Sequence, residues 1–241
     1  MRTLIISDIH SNSHALSAVF AQAEQNEPVD KVMCLGDTVG YGPSPMSCLE
    51  RLRERDAVSI LGNHDAAAVG IVSTDGFNPI AAEANKWNAD QLTGDAHKYL
   101  RSLPQQLQDD PFLLVHGTPK DPLWDYLVTY GQAVEAWEYT ENFVVLVGHS
   151  HLQFACVAGA GIEQGGPEGF NIPLGHARLV VNPGSVGQPR DGDPRAAYAI
   201  YDDDRRSIRL HRAWYDITAT QRDMADAGLP ESLISRLSFG R

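Results

Sequence analysis

Cysteine is scarce in this chain. Three occur in 241 residues, Cys34, Cys48 and Cys156. The number is odd and no two stand at C-x-x-C spacing, so neither a disulfide framework nor a cysteine-rich zinc site is indicated. Cys34 and Cys156 lie in apolar runs and read as small buried hydrophobes. Basic residues are in deficit: 19 Lys and Arg face 31 Asp and Glu, a formal net charge of −12. That argues against stable, sequence-independent binding to duplex nucleic acid, which needs a basic surface. No apolar stretch is long enough to span a bilayer, and Met1 to Ser7 lacks the apolar region of a signal peptide. A cytoplasmic protein with no membrane partner is therefore expected. There is no internal repeat and no linker that would force a boundary, so residues 1–241 are expected to form one domain.

Hydrophobic residues make up 43% of the chain, enough for a sizeable core. They come in short runs: Leu4-Ile5-Ile6, Val32-Met33-Cys34-Leu35, Val58-Ser59-Ile60-Leu61, Phe112-Leu113-Leu114-Val115, Val144-Val145-Leu146-Val147 and Leu179-Val180-Val181. Runs this short, with β-branched residues, predict buried strands. Helices fit between the early ones. Ser13 to Gln25 carries Leu16, Val19 and Phe20 on one face, and Ser44-Pro45 predicts a cap and first-turn proline for a helix through Arg55. Asn78 to Arg101 predicts two helices inside an insert, residues 66–104, that is the place for a partial cap over a site. Gly131 to Glu141 predicts another helix. The alternation predicts an α/β fold with a largely parallel sheet. Further on, Ala196 to Tyr201 and Ser207 to Trp214 read as two strands around a polar turn. Gly159 to Gly169 reads as a glycine-rich loop, and the tail from Thr218 as two short helices separated by Gly228-Leu229-Pro230.

The residues directly after each apolar run carry the chemistry. In order, the runs lead into Asp8-Ile9-His10, Gly36-Asp37, Gly62-Asn63-His64-Asp65, His116-Gly117, Gly148-His149-Ser150-His151 and Asn182-Pro183-Gly184-Ser185. In an open α/β sheet, ligands bind at the carboxyl ends of the strands, so residues just past those ends converge in space. Two aspartates, an asparagine and up to five histidines would then meet. Mixed carboxylate and imidazole donors suit manganese, iron, zinc or nickel better than magnesium or calcium. The set exceeds what one metal needs, and two metals sharing a carboxylate is the economical arrangement. Paired metals clamp the attacking and leaving oxygens of an in-line displacement.

The ordered set D-x-H, G-D, G-N-H-D, H-G, G-H-x-H, from Asp8 to His151, resembles the calcineurin-like metallophosphoesterase family. Asn182 to Arg190 resembles a further segment of its small bacterial and archaeal members. Each block alone is weak; all five in order without a substitution are specific. The resemblance implies a four-layer α/β/β/α sandwich of two mixed β-sheets flanked by helices. It implies that Asp8, His10 and His151 bind a first divalent ion, that Asn63, His116 and His149 bind a second, and that Asp37 bridges them. A hydroxide between the ions would be the nucleophile. His64 would stand over the leaving-group oxygen as general acid or charge stabiliser, with Asp65 orienting its ring. The implied substrate is a small phosphoester or nucleotide, with a phosphodiester or dinucleoside polyphosphate favoured over a monoester or a phosphoprotein. An oligomer is compatible with the sequence.

Taken singly, the ordinary readings hold for these residues: Asp8 as a helix cap, His10 as a surface histidine, Asp37 as a turn residue, His116 as a satisfied buried histidine. They fail jointly, since all must apply at once at the ends of separate strands. Other histidines keep the ordinary reading: His14 as a helix-surface residue, His97, His176 and His211 as structural or solvated. Trp87 reads as packing, whereas Trp124 and Tyr126 either pack or line the mouth of a site. Asn12, Tyr41 and Arg190 are candidate contacts to a substrate phosphate, Arg190 in bidentate fashion. Two other functions compete. Gly148-His149-Ser150-His151 approaches the G-x-S-x-G elbow of a serine hydrolase, but Leu152 stands where the last glycine belongs. A non-catalytic scaffold on the same fold is the second, as in a retromer subunit with a degenerate site; retention of His64 and every ligand block weighs against it. A chelator is expected to abolish turnover by the two-metal site and to leave a serine enzyme untouched, which an assay with and without chelator decides.

Overall fold

The computed structural model describes residues 1–25, 27–164 and 170–241. The chain runs β1 (Arg2–Ile6), α1 (Ser13–Ala23), β2 (Lys31–Cys34), α2 (Pro45–Arg53), β3 (Val58–Ser59), α3 (Asn63–Ala68), α4 (Pro79–Gln91), α5 (Gly94–Ser102), β4 (Gln106–Asp109), β5 (Phe112–Val115), α6 (Tyr130–Glu138), β6 (Val144–Leu146), β7 (Gln153–Val157), β8 (Gly161–Gln164), β9 (Asn171–Pro173), β10 (Leu179–Pro183), β11 (Ala196–Asp202), β12 (Ser207–Ala213), α7 (Ile217–Asp226) and α8 (Glu231–Arg236).

Among the described residues the strands form two six-stranded mixed sheets. One has the order β3-β2-β1-β11-β12-β9, the other β4-β5-β6-β10-β7-β8. In the first, β1, β2 and β3 are parallel; in the second, β5, β6 and β10 are. The period-two alternation of strand side chains explains why both sheets read as continuous apolar runs: both faces are covered. Ile5, Met33, Leu35 and Ile60 of the first sheet meet Phe112, Leu114, Leu146 and Val181 of the second in a core between the sheets. Leu4, Ile6 and Cys34, one residue out of phase, pack instead against Leu16, Val19 and Phe20 of α1. Val115, Val145, Val147 and Val180 likewise turn to Ala133, Ala136 and Trp137 of α6. Helix, sheet, sheet, helix is therefore the layer order, as the resemblance implied.

All six strands predicted from apolar runs form, and the predicted helices form with ends shifted by a few residues. Pro45 opens α2 as expected, but Ser44 makes no side-chain capping bond. The predicted loop at 159–169 is corrected in part: Gly161–Gln164 is strand β8, paired antiparallel with β7, while 165–169 lies outside the described residues. Strands β4, β8 and β9 had no apolar run to announce them, and the short run around Cys156, not among the predicted strands, forms β7. β4 is an exposed edge strand and β9 has three residues. His14, expected on the helix surface, is hydrogen-bonded to Asp223 of α7 at 2.8 Å.

A buried amide ties the sheets together. Gln153, 2% exposed at the start of β7, points Nε2 at the carbonyls of Pro183, Tyr198 and His211 and accepts from Arg212 Nε. Tyr198 and His211 belong to the other sheet. Replacing this amide by a hydrocarbon leaves buried acceptors without a donor, which typically costs about 2 kcal/mol. Gln153→Leu is expected to lower Tm by about 5 °C, given the size of the chain, as read by calorimetry; an unchanged Tm would mean that the tie is dispensable.

Candidate metal centre

The parallel strands of both sheets deliver their carboxyl ends to one edge, and the loops beyond them interlock. His10 and Ser11, after β1, donate main-chain N–H to Asp37 and Thr38 after β2. His149, after β6, donates its main-chain N–H to Asp8 Oδ2 at 3.2 Å. Val186 and Gly187, after β10, donate to the carbonyls of Ser7 and Asp8. Fitting side chains from both sheets into so small a space forces the backbone to bend. Five of the predicted ligands have left-handed backbone: Asp8 (φ 52°), His10 (47°), Asp37 (53°), His149 (63°) and His151 (58°). For residues other than glycine this costs about 1–2 kcal/mol each.

All seven predicted ligands come together and all are buried. Their donor atoms form two groups that could each hold a metal ion, Asp8–His10–His151 and Asp37–His116–His149. Asn63 joins the second, its Oδ1 3.1 Å from His116 Nε2. Three of the imidazoles are fixed from behind by main-chain carbonyls that accept from Nδ1: Val39 O for His10 at 3.1 Å, Leu35 O for His116 at 2.7 Å and Gln188 O for His151 at 2.6 Å. Such bonds select the tautomer whose Nε2 carries the lone pair. In the first group this has a sharp consequence. His10 and His151 point Nε2 at each other across 3.1 Å, and Asp8 Oδ1 lies 3.3 Å from one and 3.9 Å from the other. Three acceptors converging in a buried space fit a cation at their centre. Asp37 Oδ2 lies 3.3 Å from His116 Nε2 and 3.6 Å from His10 Nε2, so it faces both groups. Asp8 Oδ1, Asp37 Oδ2 and His149 Nε2 are buried with no hydrogen-bond partner among the described residues, as donor atoms aimed at metal would be.

The titration behaviour follows from this crowding. Burial, reinforced by the charge of Asp37, raises Asp8 to about 6. Burial also opposes ionisation of Asp37, but His116, His64 and His10 around it outweigh that and hold it well below the usual carboxylate range. Burial pushes His149 down to about 3 and holds His10 and His151 well below an ordinary imidazole. Burial works against a charged His116 as well, yet the Asp37 carboxylate beside it lifts it to about 9.

The groups open on a cavity of about 200 Å³. His64 lines it, with Tyr41, Arg190, Phe77, Trp124 and Tyr126. Trp124 and Tyr126 thus border the site, Tyr126 stacked on the His149 ring at 4.0 Å. Arg190 donates to Tyr41 Oη at 3.3 Å and to Gln188 Oε1. Two expectations are corrected. Asn12 does not line this cavity: its carbonyl caps α1 through the Ala15 N–H and its amide donates to Gly187 O. Asp65 does not touch the His64 ring, because its carboxylate accepts from the main-chain N–H of Thr38, Val39 and Gly62. The segment Asn182 to Arg190, which carried no assigned task, holds the loops. Asn182 donates to Gly148 O, Ser185 Oγ donates to Asp8 O, and Gln188 O fixes His151.

Residues 1–206 match the calcineurin-like phosphoesterase superfamily domain. The chain belongs to that family. It is 36% identical to an uncharacterized protein of Methanocaldococcus jannaschii, over 98% of this chain and 97% of that one. It is 29% identical to the symmetrical bis(5'-nucleosyl)-tetraphosphatase of Psychromonas ingrahamii over 143 residues, 56% of this chain and 50% of that protein. Among solved structures, a metallophosphoesterase from Sphaerobacter thermophilus superposes with a TM-score of 0.91 at 40% identity, covering 100% of this chain and 99% of that one. A hypothetical protein from Pyrococcus horikoshii shares the fold, with a TM-score of 0.84 at 19% identity, 100% of this chain and 98% of that one.

Two asparagines of α4, Asn85 and Asn88, are fully buried behind this calcineurin-like centre and were not among the predicted residues. Asn88 Oδ1 accepts from Ser11 Oγ and the Gly40 N–H, and its amide donates to Gly42 O. The signal for them was there: Ala81, Ala84, Asn85 and Asn88 share one helix face at helical spacing, which puts two amides on a buried stripe. His116, at about 9, carries a proton at neutral pH before metal enters, and the neutral imidazoles of His10, His149 and His151 do not. Loading at pH 7 is expected to release about one proton, with affinity rising up to about pH 9. Calorimetry in buffers of different ionisation enthalpy measures this, and no release would mean that His116 binds as a neutral ligand from the start.

Proposed function

We propose that this chain is a two-metal phosphoesterase acting on a phosphodiester or a dinucleoside polyphosphate. The observation that carries the reading is the pair of buried Asp–His groups meeting at Asp37 beneath one cavity. Asp8, His10 and His151 would hold one divalent ion, Asn63, His116 and His149 the other, and Asp37 both. Manganese, iron, zinc and nickel all suit this donor set. Such an ion pair supplies a water of lowered pKa and a clamp for the oxygens of an in-line displacement.

The remaining roles fall to side chains that border the cavity. Arg190, held by Tyr41 and Gln188, offers its guanidinium to a non-bridging phosphate oxygen. His64 lines the same cavity and would meet the leaving-group oxygen. Phe77, Trp124 and Tyr126 give the mouth an aromatic wall, Phe77 edge-on to Trp124 at 5.6 Å, and such walls stack the bases of nucleotides. A cavity of this size supports a small diester over a folded phosphoprotein. The tetraphosphatase name of the Psychromonas ingrahamii relative points the same way.

Three substitutions separate the roles. Asp37→Asn is expected to lose bound metal, read by elemental analysis. His64→Ala is expected to keep both ions and lower kcat about 100-fold, the range of a lost proton or charge relay. Arg190→Ala is expected to raise KM for a diester about tenfold with kcat little changed, the loss of one charge-assisted bond. Full activity in the His64 variant, or an unchanged KM in the Arg190 variant, removes that residue from the site.

A further inference from the structure

His64 lines the cavity, and among the described residues no carboxylate pairs with its ring. Asp65, next to it, is engaged by three main-chain amides. The His64 Nδ1 faces inward against Gly40, where a Cβ would lie 2.7 Å from that nitrogen. Gly40 also has φ +99°, which a residue with a side chain adopts only under strain. Position 40 can carry no side chain toward Nδ1, Tyr41 beside it presents its ring to the imidazole, and the hydrogen-bonding group at Nδ1 comes from α4. Asn85 Nδ2 lies 2.9 Å from the main-chain oxygen of His64 and 3.5 Å from Nδ1. The short contact to a carbonyl oxygen fixes the orientation of the amide, because the reversed amide would set oxygen against oxygen. The NH2 group therefore faces both atoms, and toward this amide Nδ1 can only accept.

We propose that Asn85 is a positioning residue that holds His64 as the Nε2–H tautomer, with that hydrogen turned to the cavity. His64 then acts as a neutral hydrogen-bond donor and not as a proton donor. A ring whose Nδ1 is a lone pair would become an imidazolate on giving up its Nε2 proton. As the oxygen of an attacking water forms a bond to phosphorus and gives up its proton to solvent, the bond between phosphorus and the leaving oxygen breaks with its electron pair going to that oxygen. Nε2–H stabilises the charge as it forms, and the oxygen takes its proton from water. The two readings of His64 left open by the sequence, acid or charge stabiliser, are thereby separated. The rest of α4 shares in this role. With Asn88 tying the β1 and β2 loops and Asn85 tying His64, the 66–104 segment braces the site from behind while Phe77 and Asn78 border the cavity in front.

The positioning role rests on the phosphoesterase reading; the tautomer does not. Zinc-loaded protein labelled with ¹⁵N-histidine tests the tautomer directly, with the His64 signals identified by their loss in His64→Ala. Long-range ¹⁵N–¹H correlation at neutral pH is expected to show a protonated Nε2 and a bare Nδ1, and to lose that pattern in Asn85→Leu. A doubly protonated ring or an Nδ1–H tautomer in the unmodified protein overturns the proposal, whatever the enzyme's activity. In turnover, Asn85→Leu is expected to lower kcat about tenfold with KM and bound zinc unchanged. Combined with His64→Ala it is expected to add no further loss, because the amide acts through the ring. Losses that multiply in the double variant would make Asn85 a purely structural residue. His64→Gln, which keeps an N–H donor and has nothing to titrate, is expected to retain at least tenfold more activity than His64→Ala. Equal activity of the two refutes the donor role.

Discussion

Asp8 and Asp37 are buried side by side, and the structure around them is arranged to make that tolerable. Two carboxylates out of water are strongly unfavourable unless matched by positive charge or donors. Asp37 Oδ1 receives the His64 main-chain N–H and Asp8 Oδ2 that of His149. The opposite oxygens receive nothing from the described residues. They are left for cations, and so are the inward-facing nitrogens of His10 and His151. The demand for charge compensation thus sets both what the centre can bind and how the loops beyond β1, β2 and β6 must run.

The centre belongs to neither sheet alone. Asp8, His10, Asp37 and Asn63 come from strand ends of the first sheet, His116, His149 and His151 from the second. The spacing between these candidate metal ligands is therefore a property of how the two sheets are seated on each other. The apolar core between them fixes separation, but hydrocarbon contacts are tolerant of sliding. Directional bonds that cross the gap, from Gln153 to Tyr198 and His211 and from the Ser185 loop to Asp8, restrict that freedom. This explains why a segment without any ligand, Asn182 to Arg190, is so densely hydrogen-bonded.

Much of the fold and of the centre could be read before any coordinates. Strands buried on both faces announce themselves as apolar runs, and ligands placed directly after such runs inherit a common location. For that reason the convergence of Asp8, His10, Asp37, Asn63, His116, His149 and His151 in one buried place could be read from the sequence. What could not be read depends on geometry between distant segments. Asn12 sits next to a ligand block, but its amide and carbonyl are taken by Gly187 and the first turn of α1. Asp65 adjoins His64 in sequence, yet helical geometry turns its carboxylate to the main chain of the β2 loop. Asn85 lies 21 residues from His64 and carries no motif. Edge strands such as β4 were missed because one exposed face dilutes the apolar pattern on which strand reading depends.

If these residues hold metal as proposed, the left-handed backbone at Asp8, His10, Asp37, His149 and His151 sets fold stability and metal binding against each other at the same positions. Glycine would relax each of these turns without strain while deleting a candidate ligand. A selection for thermal stability alone would drift toward erasing the centre, and one for activity would hold the loops in their tense form. The residues least replaceable for chemistry are those the bare fold would most readily give up.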